Sequence, residues 1–325
     1  MLTTLLFDKE GSTEVEQFPS TSKRIPASKV LWANLEHASV TEVSQVREAF
    51  SIGDRDFSTS QRIEAEPQVH LRNDYIYVCA LFPPDSHSRS ICRAQVLDCF
   101  VGENWLVTSY AGSNAIVDEF RELVTGAGEI GGLDAMSLLA TLLELVIVGY
   151  SEAFEEIEES LEEFDQKVLA SKDRDIESKV DLLVESRARV GLLRRTLAPH
   201  RRIFATLTHA ELDAVSTDRS ATRFSHLVGQ VTETLNGARD AREALVNSFD
   251  MLILRTEHRT NEIVKVLTLA SILFLPGALI AGILGMNVDI SASTFASSSL
   301  FWGALTLIAA VAIGTLVLAK VRRWV

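Results

Sequence analysis

The spacing of apolar and polar positions changes character twice along this chain. In the first third, short apolar runs alternate with turns. Lys29 to Leu35 (KVLWANL), Tyr75 to Phe82 (YIYVCALF), Arg93 to Val101 (RAQVLDCFV) and Trp105 to Tyr110 (WLVTSY) carry enough β-branched and aromatic residues to be strands. Val40 to Phe50 instead has helical spacing, with Thr41 as the expected N-cap and Glu42 behind it. These elements predict a mixed α/β domain over residues 1–132, closing near Gly126, Gly128, Gly131 and Gly132.

From Leu133 the pattern becomes helical. One amphipathic run covers Leu133 to Leu169 and a second Val180 to His209, divided by Pro199; together they make a helical region over 133–215. Ser216-Thr217-Asp218 breaks the pattern with capping residues. Arg219 to Met286 then reads as a single helix of about 68 residues, about 100 Å long, with a stalk over 216–265. Gly229 and Gly237 weaken it locally. Its stripe of Leu227, Val231, Leu235, Ala238, Ala241, Leu245 and Phe249 must be covered. Self-association around a common axis would cover it, and so would the chain's own helices; periodicity leaves both open.

The second change comes at residue 266, where charge all but disappears. Residues 266–286 (VLTLASILFLPGALIAGILGM) and 299–319 (SLFWGALTLIAAVAIGTLVLA) each hold twenty-one residues without a charge. About 20 helical residues cross a hydrocarbon layer of about 30 Å, so each run can span a membrane once. Arg255, Arg259 and Lys265 precede the first span, and the tail 320–325 carries Lys320, Arg322 and Arg323. The loop 287–298 has neither Lys nor Arg, so both termini are expected in the cytoplasm and this loop outside the inner membrane. Trp302 and Trp324, about 33 Å apart along a helix, suit interfacial anchors.

Formal charge is −13, which argues against a nucleic-acid partner, since counterion release needs a Lys/Arg surface. An acidic body gathers cations instead. Eight carboxylates crowd residues 152–165 without a basic residue, and Glu155, Glu156, Glu158, Glu159, Glu162 and Glu163 form a candidate cytoplasmic cation reservoir, or a solvated face. Cys79, Cys92 and Cys99 fall in strand-like segments without C-x-x-C spacing, as reduced core residues do. The start, MLTTLLFDKEG, lacks the basic and apolar regions of a signal peptide. No Walker loop, Rossmann fingerprint, H-E-x-x-H or G-x-S-x-G is present and the seven histidines are scattered, so neither an enzyme nor a bound cofactor is expected.

At the outer end of the first span stands Gly285-Met286-Asn287. It follows K-V-L-T-L-A-S-I-L-F-L-P-G and precedes a short loop, a second span and a basic tail. In that setting the chain resembles the CorA family of magnesium transporters, which a G-M-N tripeptide closing the first of two C-terminal spans defines. Asn104 to Thr108 (NWLVT), the acidic helix over Ala153 to Phe164, Leu192 to Pro199 (LLRRTLAP) and Thr260 to Thr268 (TNEIVKVLT) resemble family features too. The resemblance implies a funnel-shaped homopentamer with the first span lining a pore. It implies an α/β cytoplasmic domain, a long stalk helix and a two-helix transmembrane hairpin.

Steps of three and four from Asn261 give Val264, Thr268, Ser271, Leu275, Ala278, Gly282 and Gly285, a stripe of mainly small or polar residues. Such a stripe also serves as a helix-packing face. In the five-fold arrangement it becomes a pore wall, with Val264, Leu267 and Leu275 as dry constrictions. Asn287 is then the cation-facing residue. Mg²⁺ dehydrates reluctantly, and a ring of amide oxygens can accept hydrogen bonds from its waters. Asn287 also suits a helix C-cap.

Some positions depart from the family pattern. Leu284 and Val288 replace aromatic residues flanking the tripeptide, and Asp289 is the loop's single charge, the remaining candidate for external cation attraction. Ser225-His226-Leu227-Val228-Gly229 stands where magnesium-gated members carry a D-x-x-D-H-like segment. The expected cargo is a divalent cation, Mg²⁺ before Co²⁺ or Ni²⁺, with a ZntB-like Zn²⁺ transporter, with or without proton coupling, as the alternative. A non-conducting membrane-anchored sensor or scaffold is the third reading.

Overall fold

The computed structural model describes residues 1–8, 11–15, 19, 21–22, 25–26, 28–57, 66–84, 94–126, 134–170, 176–208, 218–285 and 297–321. Its first elements are strands β1 (Leu2–Asp8), β2 (Gly11–Glu14) and β3 (Val30–Glu36), then helices α1 (Val40–Phe50) and α2 (Asp54–Phe57). Strands β4 (Gln68–Leu71), β5 (Ile76–Leu81), β6 (Val96–Val101) and β7 (Trp105–Tyr110) follow. The rest is helical: α3 (Ala115–Gly126), α4 (Ala135–Ala170), α5 (Ile176–Leu197), α6 (His200–Thr208), α7 (Asp218–Gly285) and α8 (Ser297–Val321). Met1–Ser248 form one compact unit and Phe249–Val325 a second, so the helical region 133–215 shares one unit with the α/β segment.

The seven strands form one sheet in the order β2-β1-β3-β7-β6-β5-β4. β3 and β7 pair in parallel, and every other neighbouring pair is antiparallel. Every residue of β5 and β7 is buried, which is why their sequences read as continuous apolar runs rather than as an alternation. Val46, Ala49 and Phe50 of α1 and Phe57 of α2 cover one face, over Tyr77, Cys79, Phe100 and Val107. α4 packs against β6 and β7, and Phe120 of α3 meets Trp32 edge-on at 4.8 Å. Cys79 and Cys99 are free and buried, while Cys92 lies outside the described residues.

The four expected strands are β3, β5, β6 and β7, each within a few residues of the predicted bounds. β1, β2 and β4 were not predicted. β2 and β4 are four-residue edge strands with little apolar content, and β1 shows only a broken burial pattern. The segment at the start, weighed only as a leader, is β1, held through register pairs such as Leu5 with Trp32.

The N-cap of α1 is Ser39, two residues before the predicted Thr41. Ser39 has extended backbone, its hydroxyl accepts from the Glu42 N–H at 3.3 Å, and the Glu42 carboxylate accepts from the Ser39 N–H at 2.8 Å. Glu42 stands three residues after Ser39, completing a capping box that Thr41 cannot make. The Ser39 N–H, the Ser39 hydroxyl, which donates to the carboxylate at 2.9 Å, and the Leu2 N–H hold the Glu42 carboxyl below the usual carboxylate range. Ser39→Ala is expected to cost about 1 kcal/mol, read as a lowered urea midpoint at unchanged slope.

α4 is apolar and long enough to be mistaken for a membrane span, yet 56% of its most apolar window is buried inside the protein. Its first half lies under the sheet, and its second half buries Phe154, Ile157, Leu161, Phe164 and Val168 at three- and four-residue spacing. Pro199 separates α5 from α6. Just after it, His200 is buried; its Nε2 accepts from the Leu81 N–H at 3.1 Å, and its Nδ1 lies 3.1 Å from the Leu197 carbonyl. Burial lowers the His200 imidazole to about 4, so it is a neutral core residue.

The choice left open for the first part of α7 goes to the chain's own helices. Leu227, Val231, Ala238, Ala241 and Leu245 are all buried in the single chain. Arg223 donates to the Ser137 carbonyl and to Thr141 Oγ1 of α4 at 3.2 and 3.0 Å. Gln230 donates to Glu144 at 3.4 Å. The two helices therefore run side by side in the same direction.

Candidate functional site

Beyond Ser248 the surface of α7 reverses its character. The most apolar window of this helix is 0% buried, and Ile263, Val264, Val266, Leu267, Phe274, Leu275 and Leu279 are each more than half exposed. Exposing so much apolar surface to water is unfavourable, so this segment requires lipid or further protein around it.

At about 100° per residue, Asn261, Val264, Leu267, Thr268, Ser271, Leu275, Ala278 and Gly282 fall within about 120° of one another around the helix. All eight are exposed. The half-buried positions of the same stretch are Leu269, Ala270, Leu273, Pro276, Gly277 and Ile280, centred about 180° away. On that opposite face, a Cβ added at Gly277 would lie 3.6 Å from Ile308 of α8. α8 thus covers the back of α7 and leaves the small and polar stripe uncovered.

Within the stripe, Thr268 donates its hydroxyl proton to the Val264 carbonyl at 2.7 Å, and Ser271 donates to the Leu267 carbonyl at 2.9 Å. A hydroxyl has one proton and two lone pairs. With the proton committed to the helix, each oxygen presents only acceptor capacity outward. That suits a hydrated cation, whose waters point protons outward, and offers nothing to an anion. Two residues that the sequence reading missed continue the stripe: Asp250 and Glu257, both exposed, lie fourteen and seven residues before Val264. Two heptads bring a helical position back to nearly the same face, and that spacing was the available signal.

Gly285 is the last residue of α7. Met286, Asn287 and Asp289 lie outside the described residues, as does most of the loop 287–298.

The acidic face of α4 is exposed at Glu155, Glu156, Glu159, Glu162 and Glu163, while Glu158 is half-buried. Glu156 pairs with Arg189 of α5 at 2.6 Å and Glu163 with Lys167 at 3.0 Å. Glu158 faces a cleft of about 430 Å³ shared with Glu155, Glu233 and Asp240. Burial, followed by Asp240, Glu155 and Glu162, raises its carboxyl above the usual range. Among the described residues, no group of three or more His, Cys, Asp or Glu side chains is placed to hold a metal ion.

Comparison with known proteins agrees with this architecture. The family described as CorA-like Mg2+ transporter protein matches residues 27–323. The cobalt/magnesium transport protein CorA of Thermotoga maritima is 24% identical over 271 residues, covering 81% of this chain and 74% of that protein. The complete structure of the CorA magnesium transporter from Methanocaldococcus jannaschii is similar with a TM-score of 0.80 at 18% identity, covering 99% of this chain and 98% of that one. The ZntB cytoplasmic domain from Vibrio parahaemolyticus is similar with a TM-score of 0.61 at 12% identity, covering 79% of this chain and 98% of that domain. With the family match running through the α/β domain, α7 and α8, the chain belongs to the CorA-like Mg2+ transporter family, whose members are transporters rather than enzymes.

Proposed function

We propose that this chain carries hydrated divalent cations, Mg²⁺ first and Co²⁺ or Ni²⁺ after it, across the inner membrane through a homo-oligomeric pore lined by α7. The observation that carries this reading is the exposed face from Asn261 to Gly282, backed by α8 and fitted with hydroxyl acceptors. Five copies around an axis, as the family resemblance implies, would turn that face inward and leave the remaining apolar surface to lipid. Val264, Leu267 and Leu275 would form the narrow dry rings, and Gly285, Met286 and Asn287 the outer mouth. Asp250 and Glu257 would place carboxylate rings on the cytoplasmic approach, where negative charge concentrates cations. Asp289 outside and the α4 glutamates inside would add diffuse attraction. With both termini in the cytoplasm, entry down an inside-negative potential gains about 2.3 kcal/mol per charge for each roughly 100 mV, so a dication needs no nucleotide site.

The test is flux into liposomes across Mg²⁺, Co²⁺, Ni²⁺ and Zn²⁺. Asn287→Ala is expected to lower Mg²⁺ flux by about tenfold or more, the equivalent of one lost acceptor interaction of about 1.4 kcal/mol. Unchanged flux removes Asn287 from the mouth, and a parent protein without flux for any ion favours a membrane-anchored scaffold.

A second reading, a Zn²⁺ transporter coupled to protons, draws on the likeness of the cytoplasmic domain to ZntB and on Ser225-His226-Leu227-Val228-Gly229 in place of an acidic gating segment. Zn²⁺ flux that exceeds Mg²⁺ flux and follows an imposed pH gradient would decide for it.

A further inference from the structure

The α/β domain holds a titratable group that the ion path does not use. Asp98 on β6 is completely buried. One of its carboxyl oxygens accepts from the Tyr77 hydroxyl at 2.7 Å, and the other, Oδ2, has no hydrogen-bond partner. Tyr77 is on β5, where Cys79 stands directly across from Asp98; on the other side Ser109 of β7 is its register partner. α1 meets this face with apolar residues, Val46, Ala49 and Phe50. α2 brings a second buried carboxylate, Asp56.

The guanidinium on this side of the sheet is committed to Asp56. Arg72, just beyond β4, donates to its two oxygens at 2.7 and 3.0 Å, and His70 of β4 places Nδ1 3.6 Å from Oδ1. Tyr75 adds a hydroxyl bond to Asp56 at 2.8 Å. The His70 ring also lies 5.6 Å from the Tyr77 ring. Asp98 therefore has a like charge as its neighbour, and among the described residues no cation is bonded to it.

A buried carboxylate with a bare oxygen and no counter-charge is costly, and the neutral acid is not. Burial accordingly pushes Asp98 up to about 7, with bonds from the Tyr77 hydroxyl and the Cys79 thiol opposing the rise and Asp56 adding to it. The adjacent Cys79 thiol, pushed up to about 12 by burial and by Asp98, stays protonated throughout.

We propose that Asp98 is a proton switch within the α/β domain: as the neutral acid it lets α2 and β4 close over β5 and β6, and once ionised it competes with Asp56 for Arg72 and His70 and unfastens them. This device is separate from ion conduction and stands whether or not α7 lines a pore. The sign follows from proton linkage. The folded state keeps a proton that the unfolded chain releases near pH 4, so stability from this group is complete below about pH 4 and lost as pH rises to about 7. His200, with its lowered value, has the opposite slope over part of that range, so the measurement has to be a ratio between variants.

Amide hydrogen exchange on the full chain, with and without Asp98→Asn, provides that ratio. The opening constant of α2 and β4 in the unmutated protein relative to Asp98→Asn is expected to climb about tenfold per pH unit between about pH 5 and pH 7 and to level off above. A ratio independent of pH would overturn the proposal. If Asp98→Asn does not fold, infrared titration of the protonated-carboxyl stretch with Tyr77→Phe serves instead. Removing the hydroxyl that favours the charged form should move the midpoint to higher pH, and an unmoved midpoint counts against the switch.

Discussion

Liposomes carrying Ser271→Leu are expected to take up Mg²⁺ at least about tenfold more slowly than those with the parent protein. Two effects act together. The substitution removes the outward acceptor left by the Ser271 bond to Leu267, which alone is worth about 1.4 kcal/mol, a factor of about ten. It also places a bulky apolar ring four residues before Leu275, extending the dry constriction. Val266→Leu is the control. Val266 is 69% exposed on the same helix but lies about 160° around it from the centre of the stripe, so added bulk there points away from the proposed path and flux should hold. Equal losses from the two substitutions would mean that the Asn261–Gly282 face does not line the path.

In the α/β domain, Trp32→Ala is expected to cost about 3–5 kcal/mol, the range for truncating a buried large aromatic. Trp32 is 1% exposed at the centre of β3, between β1 and β7. Its indole N–H donates to Thr108 Oγ1 at 2.9 Å, Thr108 donates to Asn34 Oδ1 at 2.7 Å, and Asn34 donates to the Tyr110 hydroxyl at 3.2 Å. Truncation empties the space against Phe120 and removes the first donor of a buried chain of four polar groups. Trp32→Phe keeps most of the ring volume and loses chiefly the hydrogen bond, for about 1–3 kcal/mol. Urea unfolding followed by circular dichroism measures both. A loss equal for Ala and Phe would place the energy in the indole N–H rather than in packing.

The long helix was legible because nothing between Asp218 and Gly285 interrupts it except Pro276, and because its last part carries no charge after Lys265. The central strands were legible because burial on both faces leaves a continuous apolar run. α3 was readable but passed over: Asn114 accepts from the Ile116 N–H at 3.0 Å, and Val117, Phe120 and Val124 follow at helical spacing. β2 and β4 carried too little apolar pattern to be found, since an edge strand is defined by its neighbour rather than by its own composition. The stripe from Asn261 to Gly282 was visible in the sequence, but its being uncovered was not.

Local periodicity, then, was enough for the sequence to mark the long helix, the apolar C-terminal helix region and the strand-rich first third. Tertiary structure alone decided that the Leu227–Leu245 stripe packs on α4, that α8 backs the face opposite the candidate pore, and that Asp98 sits against Tyr77 without a counter-charge. The division has a physical reason. Apolar spacing states that a face must be covered, because hydrophobic burial is non-directional. Which group covers it, and whether a buried oxygen meets a donor, depends on contacts between residues dozens of positions apart, such as the Tyr77–Asp98 and Arg223–Ser137 bonds.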